Sequence, residues 1–340
     1  MILFLSTQDP LTSRNRSLIN FLENDYNKSF KTLLISNKSI FSIFIRVYKS
    51  LRIYKPQKIV IGYNSRVLVL YIYILKIIFE FDVIYDLGYP ISDIPKLNFL
   101  RRVLLSAFDY LLIKLSVLVI VESLEQKSFV ESKYNKSVIV YFAFIDFPIS
   151  LQDSSRFDFN YFLFRGRLNY ESGILTWISE FIKYKRHGSY KLVILGYGDL
   201  ETEVNNLIKN NLSDIIFLNN YVTESELISI ISNASCLLGQ INSNEGRLQK
   251  TIPHKFFESV YFRKVYLGYI YPPVRTIIGD TYFNCGLQLD PIEPVGKISE
   301  LFFNFESQDE NSLAQNVDVA YNLLINSHIR NKICLANSLQ

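Results

Sequence analysis

Lys255 and Glu258 stand three residues apart in the run Glu245-Gly246-Arg247-Leu248-Gln249-Lys250-Thr251-Ile252-Pro253-His254-Lys255-Phe256-Phe257-Glu258. Pro253 suits the first turn of a helix, so the spacing predicts a helix from about residue 254 with both side chains on one face. A cation at a helix start and a carboxylate one turn later can hold a nucleotide sugar. The ammonium would meet the diphosphate and the carboxylate two ribose hydroxyls. The same spacing also makes an ordinary ion pair on a helix surface. A second candidate is Val193-Ile194-Leu195-Gly196-Tyr197-Gly198-Asp199-Leu200-Glu201, which reads strand, Gly-x-Gly, helix. Gly196 and Gly198 at such a junction let backbone N–H groups face an anion, or simply make a tight turn. The third glycine of the dinucleotide fingerprint is missing, so a redox nucleotide fold is a poor match. A third is Phe164-Arg165-Gly166-Arg167-Leu168, where Gly166 permits close approach of a ligand and Arg167 can clamp a phosphate. Its plainer reading is a turn glycine between surface arginines. Asp86, in Tyr85-Asp86-Leu87-Gly88-Tyr89-Pro90, is either an acid facing an acceptor or a strand-end cap.

These residues need elements to hold them. Short β-branched runs at 2–5, 32–35, 58–61, 83–85, 117–121 and 138–141 alternate with amphipathic stretches at 16–24, 40–53, 66–79, 97–112 and 124–133. Strands this uniformly apolar are buried on both faces of a parallel sheet. Pro148, Gln152, Asp153, Ser154 and Ser155 then break the pattern like a linker. Alternation resumes with strands at 161–164, 191–195, 215–218, 236–239, 265–269 and 287–289, and with helices at 174–184, 200–209, 224–232, 254–262 and 295–303. The predicted fold class is α/β, with two Rossmann-like doubly wound domains facing a cleft. The expected boundaries are 1–150, 157–310 and a helical tail at 311–340. Ligands in such sheets bind beyond the carboxyl ends of the strands.

Composition narrows the field. The 340 residues are 49% hydrophobic and 20% charged, which excludes disorder over most of the chain. Three scattered cysteines and three distant histidines form no zinc pattern, and no metal is expected. A net charge of +4 is too mild to imply nucleic acid. The apolar start at residues 1–7 has no basic flank or cleavage site, so it reads as a first strand rather than a signal peptide. The stretch 67–79 is too short to span a bilayer. The stretch 103–121 contains Asp109 and Lys114, so a buried helix running into a strand is expected there. Residues 28–76 hold ten Lys or Arg and no acid, interleaved with Phe41, Phe44, Tyr48 and Tyr54. Such a stretch lies on an anionic membrane surface or forms solvated helix faces.

The second half resembles the donor domain of GT-B glycosyltransferases, above all the retaining family 4 of bacterial cell-surface polysaccharide synthesis. The resemblance rests on Gly166-Arg167-Leu168, Leu195-Gly196-Tyr197-Gly198, Ile216-Phe217-Leu218-Asn219-Asn220-Tyr221-Val222 with Glu224 and Glu226, Ala234-Ser235 and Thr251-Ile252-Pro253-His254-Lys255-Phe256-Phe257-Glu258, in family order. The first half resembles the acceptor domain more loosely, through Ile120-Val121-Glu122-Ser123 and the run 138–146. The resemblance implies that Arg167 and Lys255 hold the donor diphosphate and Glu258 the ribose. It implies that the backbone at Tyr221 and Val222 faces the base, and that Gly166, Gly196 and Gly198 shape the floor. The implied activity is hexosyl transfer, with retention, from a UDP- or GDP-sugar to a lipid-linked glycan or other polysaccharide precursor. The implied place is the cytoplasmic face of a membrane, with no cofactor or metal. The sequence departs from the family at Ser172, where a phosphate-binding lysine is common, and at Lys250, where the first of two glutamates falls. The alternatives are a GT-B nucleotide-sugar epimerase and a non-catalytic two-lobed nucleotide-sugar-binding scaffold.

Overall fold

A computed structural model describes residues 1–7, 13–26, 29–35, 39–88, 98–142, 156–209, 211, 213–219, 222–241, 250–269, 271–279, 288–289 and 298–339. The chain divides into two compact units. One comprises Met1–Asp146, Glu245–Thr251 and Asn326–Gln340, the other Phe147–Asn244 and Ile252–Ile325.

The first unit is built on β1 (Ile2–Ser6), β2 (Phe30–Leu34), β3 (Lys58–Ile61), β4 (Asp82–Gly88), β5 (Ser116–Val121) and β6 (Val138–Val140). All pair in parallel, in the order β2-β1-β3-β4-β5-β6. Every residue of β1 is buried, as an unbroken ILFLS run demands once helices cover both sheet faces. Its side chains alternate between two cores. Leu3 and Leu5 meet Val47 and Leu51 of helix Ile40–Tyr54, Val69, Ile72 and Leu75 of helix Val69–Ile78, and Leu112 and Ile113 of helix Phe99–Leu115. Ile2 and Phe4 meet Leu18 and Ile19 of helix Ser13–Asn20, with Leu335 and Leu339 of the C-terminal helix. Side-chain caps start helices Ile40–Tyr54, Phe99–Leu115 and Leu124–Tyr134: Ser39 accepts from the Ser42 N–H, Asn98 from Leu100 and Ser123 from Gln126.

The stretch 103–121 is a helix running straight into β5, as its two charges required. Asp109 is buried there, accepting from Arg66 Nε at 2.5 Å and from the Tyr85 hydroxyl at 2.6 Å. No helix among the described residues is long and apolar enough to cross a membrane.

The second unit carries β7 (Tyr161–Arg165), β8 (Lys191–Leu195), β9 (Ile215–Leu218), β10 (Cys236–Leu238), β11 (Val265–Tyr269) and the two-residue β12 (Gln288–Leu289), again parallel. Their order, β12-β11-β10-β7-β8-β9, reverses direction between β7 and β10. Strand order reversal opens a crevice at the carboxyl ends of those two strands. Phe162 of β7 packs on Phe181, Tyr184 and Phe302, and Trp177 Nε1 donates to the Gly239 carbonyl at 2.9 Å. The sequence pattern missed helix Pro272–Ile278, although paired prolines at its start are a fair initiation signal. The helical tail is a single helix, Glu310–Leu339, whose residues to Ile325 belong to the second unit and those from Asn326 to the first.

Candidate functional site

The carboxyl edge at the β7–β10 reversal is where the candidate side chains of the second unit collect. Strand β7 ends on Arg165, and β10 leads, past residues 242–249, to helix His254–Tyr261. Pro253 immediately precedes that helix, and Lys255 and Glu258 share one of its faces.

Glu258 is buried to within 1% of full enclosure. Its Oε1 pairs with Arg165 Nη1, and His254 Nδ1 lies 3.6 Å away. Its Oε2 is buried with no hydrogen-bond partner among the described residues. Lys255 has a half-buried stem, but its Nζ is shielded from solvent and likewise without a hydrogen-bond partner among them. The ammonium sits 3.5 Å from the centre of the Phe164 ring. Burial, and then the positive charge of Arg165, push the Lys255 pKa well below the usual lysine range. Burial also lowers Arg165.

Gly166 follows Arg165 with φ +142°, and a Cβ there would stand 3.0 Å from Lys255 Cε. Glycine thus leaves open the space in front of the ammonium. Gly196 and Gly198 act one layer back. A Cβ on Gly196 would collide with the Gly166 carbonyl oxygen, and one on Gly198, at φ +154°, would lie 2.5 Å from the Leu168 carbonyl oxygen. The two glycines let the turn after β8 close on the turn after β7, sealed by Gly166 N–H to Leu195 O at 2.9 Å and Leu168 N–H to Tyr197 O at 2.9 Å. The helix that follows, Glu201–Ile208, carries Glu201 and Glu203 in its first turn. Those carboxylates already answer its positive end.

The other named residues lie elsewhere. Arg167 is exposed, 3.8 Å from Asp199, and does not join Lys255 and Glu258. Val222 packs on the apolar cluster under β8 and β9, while Tyr221 lies outside the described residues. Glu226 closes a capping box with Thr223. Ser172 is buried in a turn, its hydroxyl donating to the Asn169 carbonyl at 2.6 Å. Lys250 belongs to the first unit, its Nζ 4.4 Å above the Phe129 ring, and Glu245 lies outside the described residues.

Asp86 also belongs to the first unit. It stands inside β4, not at the strand end that a cap would need. It is fully buried, and Arg14 reaches both of its oxygens: Nε to Oδ1 at 2.9 Å and to Oδ2 at 3.0 Å, with Nη2 to Oδ1 at 2.5 Å. Arg14 continues to Glu122 Oε1 at 3.2 Å and the Tyr141 carbonyl at 3.0 Å. The Asp86 carboxylate is thus committed to a fixed guanidinium.

Arg165, Phe164 and His254 are the site residues that the spacing argument passed over. The available signal was a charged residue closing an otherwise apolar strand at its carboxyl end.

No protein-family model and no curated protein sequence matches this chain. Solved structures do. Anabaena Alr3699/HepE in complex with UDP and glucose is similar with a TM-score of 0.72 at 14% identity, over 99% of this chain and 98% of that one. A glycosyltransferase from Rickettsia africae ESF-5 follows with a TM-score of 0.71 at 14% identity, over 99% and 97%. The chain has the GT-B fold. UDP-GlcNAc 2-epimerase from Neisseria meningitidis, bound to UDP-GlcNAc, shares it less closely, with a TM-score of 0.56 at 14% identity over 99% and 98%.

Proposed function

We propose that the chain is a glycosyltransferase whose second unit holds a nucleoside-diphosphate sugar. The observation that carries this is the pair of buried polar atoms one helical turn apart, Lys255 Nζ and Glu258 Oε2. Buried polar atoms are nearly always hydrogen-bonded, and a missing bond costs about 1–3 kcal/mol. An ammonium takes an anion and a carboxylate oxygen takes a hydroxyl, so one ligand with a diphosphate beside a diol answers both. The solved structures of this fold include one in complex with UDP and glucose.

Lys255 meets the diphosphate and Glu258 the ribose hydroxyls. Arg165 is a positioning residue, because it fixes the Glu258 carboxylate. In the reaction the bond from the sugar C1 to the diphosphate oxygen breaks. Its electron pair leaves with the nucleoside diphosphate, and an acceptor hydroxyl bonds to C1 and gives up its proton to an oxygen of the departing diphosphate. Charge grows on the leaving diphosphate, where the Lys255 ammonium stabilises it. Protein cations take the part a bound metal would otherwise play. Arg167, one residue past Gly166, comes to the outer phosphate by turning from Asp199, a weak exposed contact. Hexosyl transfer with retention, a UDP or GDP donor, and a lipid-linked or polysaccharide acceptor at the inner face of a membrane complete the proposal. They rest on the resemblance to family 4. The epimerase alternative draws on the likeness to the Neisseria enzyme, and the scaffold alternative needs binding alone.

Calorimetry with UDP and GDP, followed by nucleotide release from the matching sugar donors, separates the three. A transferase releases nucleotide when an acceptor glycolipid is present. An epimerase converts the donor with no acceptor, and a scaffold binds without turnover. Absence of nucleoside diphosphate binding overturns all three.

A further inference from the structure

Helix His254–Tyr261 opens on a histidine that stands beside the buried pair. The His254 side chain is half-exposed, whereas Glu258 is buried. Two neighbours on the same helix hold the imidazole. Its Nδ1 lies 3.6 Å from Glu258 Oε1, an ion-pair distance across one turn, and its ring stands edge-on to Phe257 with centres 6.5 Å apart. His254 also shares the first turn with Lys255. Among the described residues no side chain caps that turn, and it contains no acid. Elsewhere in the unit, helix Glu201–Ile208 carries two acids in its first turn, and Glu224–Ser232 has its capping box. The positive end of His254–Tyr261 has no such answer in its own turn, and Lys255 Nζ, without a hydrogen-bond partner among the described residues, stands at the same end. A diphosphate held by Lys255 there lies beside the imidazole of the preceding residue.

The charge on that imidazole is set by its neighbours. Glu258 favours the protonated form, while Lys255 on the same helix and Arg165 at the end of β7 oppose it. Strands β10 and β11 pack against the helix and carry Cys236, Tyr266 and Tyr269, all buried. Burial pushes the Cys236 thiol and the Tyr266 hydroxyl up, away from the histidine range. Arg263 and Lys264 come only beyond the far end of the helix. In the free chain one carboxylate is thus set against two cations. A bound diphosphate adds two negative charges and reverses the balance, so the complex holds the imidazole proton more tightly than the free chain does. Binding then takes up a proton, and affinity rises as pH falls through the histidine range, about 6.5 for an ordinary imidazole.

We propose that His254, as imidazolium, is a second ligand of the donor diphosphate, so that the site of Lys255 and Glu258 tightens on protonation; this rests on the nucleoside-diphosphate site proposed above. The test is calorimetry of the full chain with UDP, or with GDP where UDP does not bind, at about pH 5.5 and about pH 7.5. The proteins are the wild type, His254→Gln and His254→Arg. The outer phosphate of the nucleotide itself titrates near about 6, but identically for all three, so the ratio between proteins isolates His254. At the lower pH the wild type should bind about fivefold tighter than His254→Gln, the upper range for a half-exposed charge pair, and the two should converge at the higher pH. His254→Arg, a permanent cation, should keep the advantage at both. In buffers of different ionisation enthalpy, the wild type should take up more protons on binding than His254→Gln. A merely structural histidine would change affinity equally at both pH values and leave proton uptake unmoved. Circular dichroism checks that each variant is folded, and the proton count of the wild type against either folded variant carries the test if the other is not. A ratio of wild type to His254→Gln that is the same at both pH values overturns the role of His254 and leaves the donor site standing. Absence of UDP and GDP binding to the wild type overturns both.

Discussion

Lys255, the proposed diphosphate ligand, is also a poorly solvated cation. Its ammonium is desolvated beside Arg165 and against the Phe164 ring, with no hydrogen-bond partner among the described residues. Replacing it with methionine, which keeps the stem and removes the charge, should therefore act in two directions. Nucleoside diphosphate affinity should fall roughly tenfold or more, the worth of a charged hydrogen bond. The ligand-free chain should melt higher, because a buried unpaired charge is gone. Calorimetry and thermal melting of the same sample check both, and a lower melting temperature with unchanged affinity would reverse the assignment. The pH dependence has a definite sign. A lysine pKa lowered by folding means the folded state binds fewer protons than the unfolded one between that lowered pKa and the normal value near 10.5. Stability of the free chain rises with pH across that window. Nucleoside diphosphate affinity moves oppositely, falling as the ammonium deprotonates. Affinity measured from neutral to alkaline pH should decline in the wild type and stay flat in Lys255→Met.

At the scale of elements, the site depends on two turns closing on each other. The turn after β7 presents Arg165 and Gly166, and the turn after β8 holds it from behind through Gly196 and Gly198. Gly196→Ala introduces a methyl against the Gly166 carbonyl, a backbone atom that cannot rotate away. Overpacking of this kind costs about 1–3 kcal/mol, and here it also displaces the space in front of Lys255. Nucleoside diphosphate affinity should fall together with melting temperature, whereas Leu207→Ala, at an outer position of helix Glu201–Ile208, should change neither appreciably. Equal tolerance of both changes in binding and melting would show that the turns do not support the site.

At the scale of the whole molecule, the proposed donor site and the Arg14 network belong to different units. The first unit is tied across its sheet by Arg14, which joins Asp86 on β4, Glu122 after β5 and the Tyr141 carbonyl after β6. Asp86→Asn leaves a buried guanidinium without its full counter-charge, a loss of about 3–5 kcal/mol in comparable pairs. Melting temperature should drop while the folded fraction binds nucleoside diphosphate normally, because the described contacts of Lys255 and Glu258, with Phe164, Arg165 and His254, lie in the second unit. Lost affinity at unchanged stability would instead return Asp86 to the reacting groups.

The architecture was legible from residue order alone, since uniformly apolar strands alternating with amphipathic helices have few solutions besides parallel sheets covered on both faces. The one-turn pairing of Lys255 and Glu258 was legible too, because it is local: helical geometry fixes it once Pro253 starts the helix. Contacts between residues distant in sequence were not. No spacing rule joins Arg165 to a glutamate on the helix after β10; the strand reversal between β7 and β10 brings them together. Arg14 is likewise far from Asp86 in the chain, so an acid that read as free or capping became a buried ion pair. Arg167 shows the converse, a motif residue whose side chain the fold leaves in solvent. Local periodicity carries the elements, but the partner of a charge is chosen by sheet order and burial, and those exist only once the chain has folded.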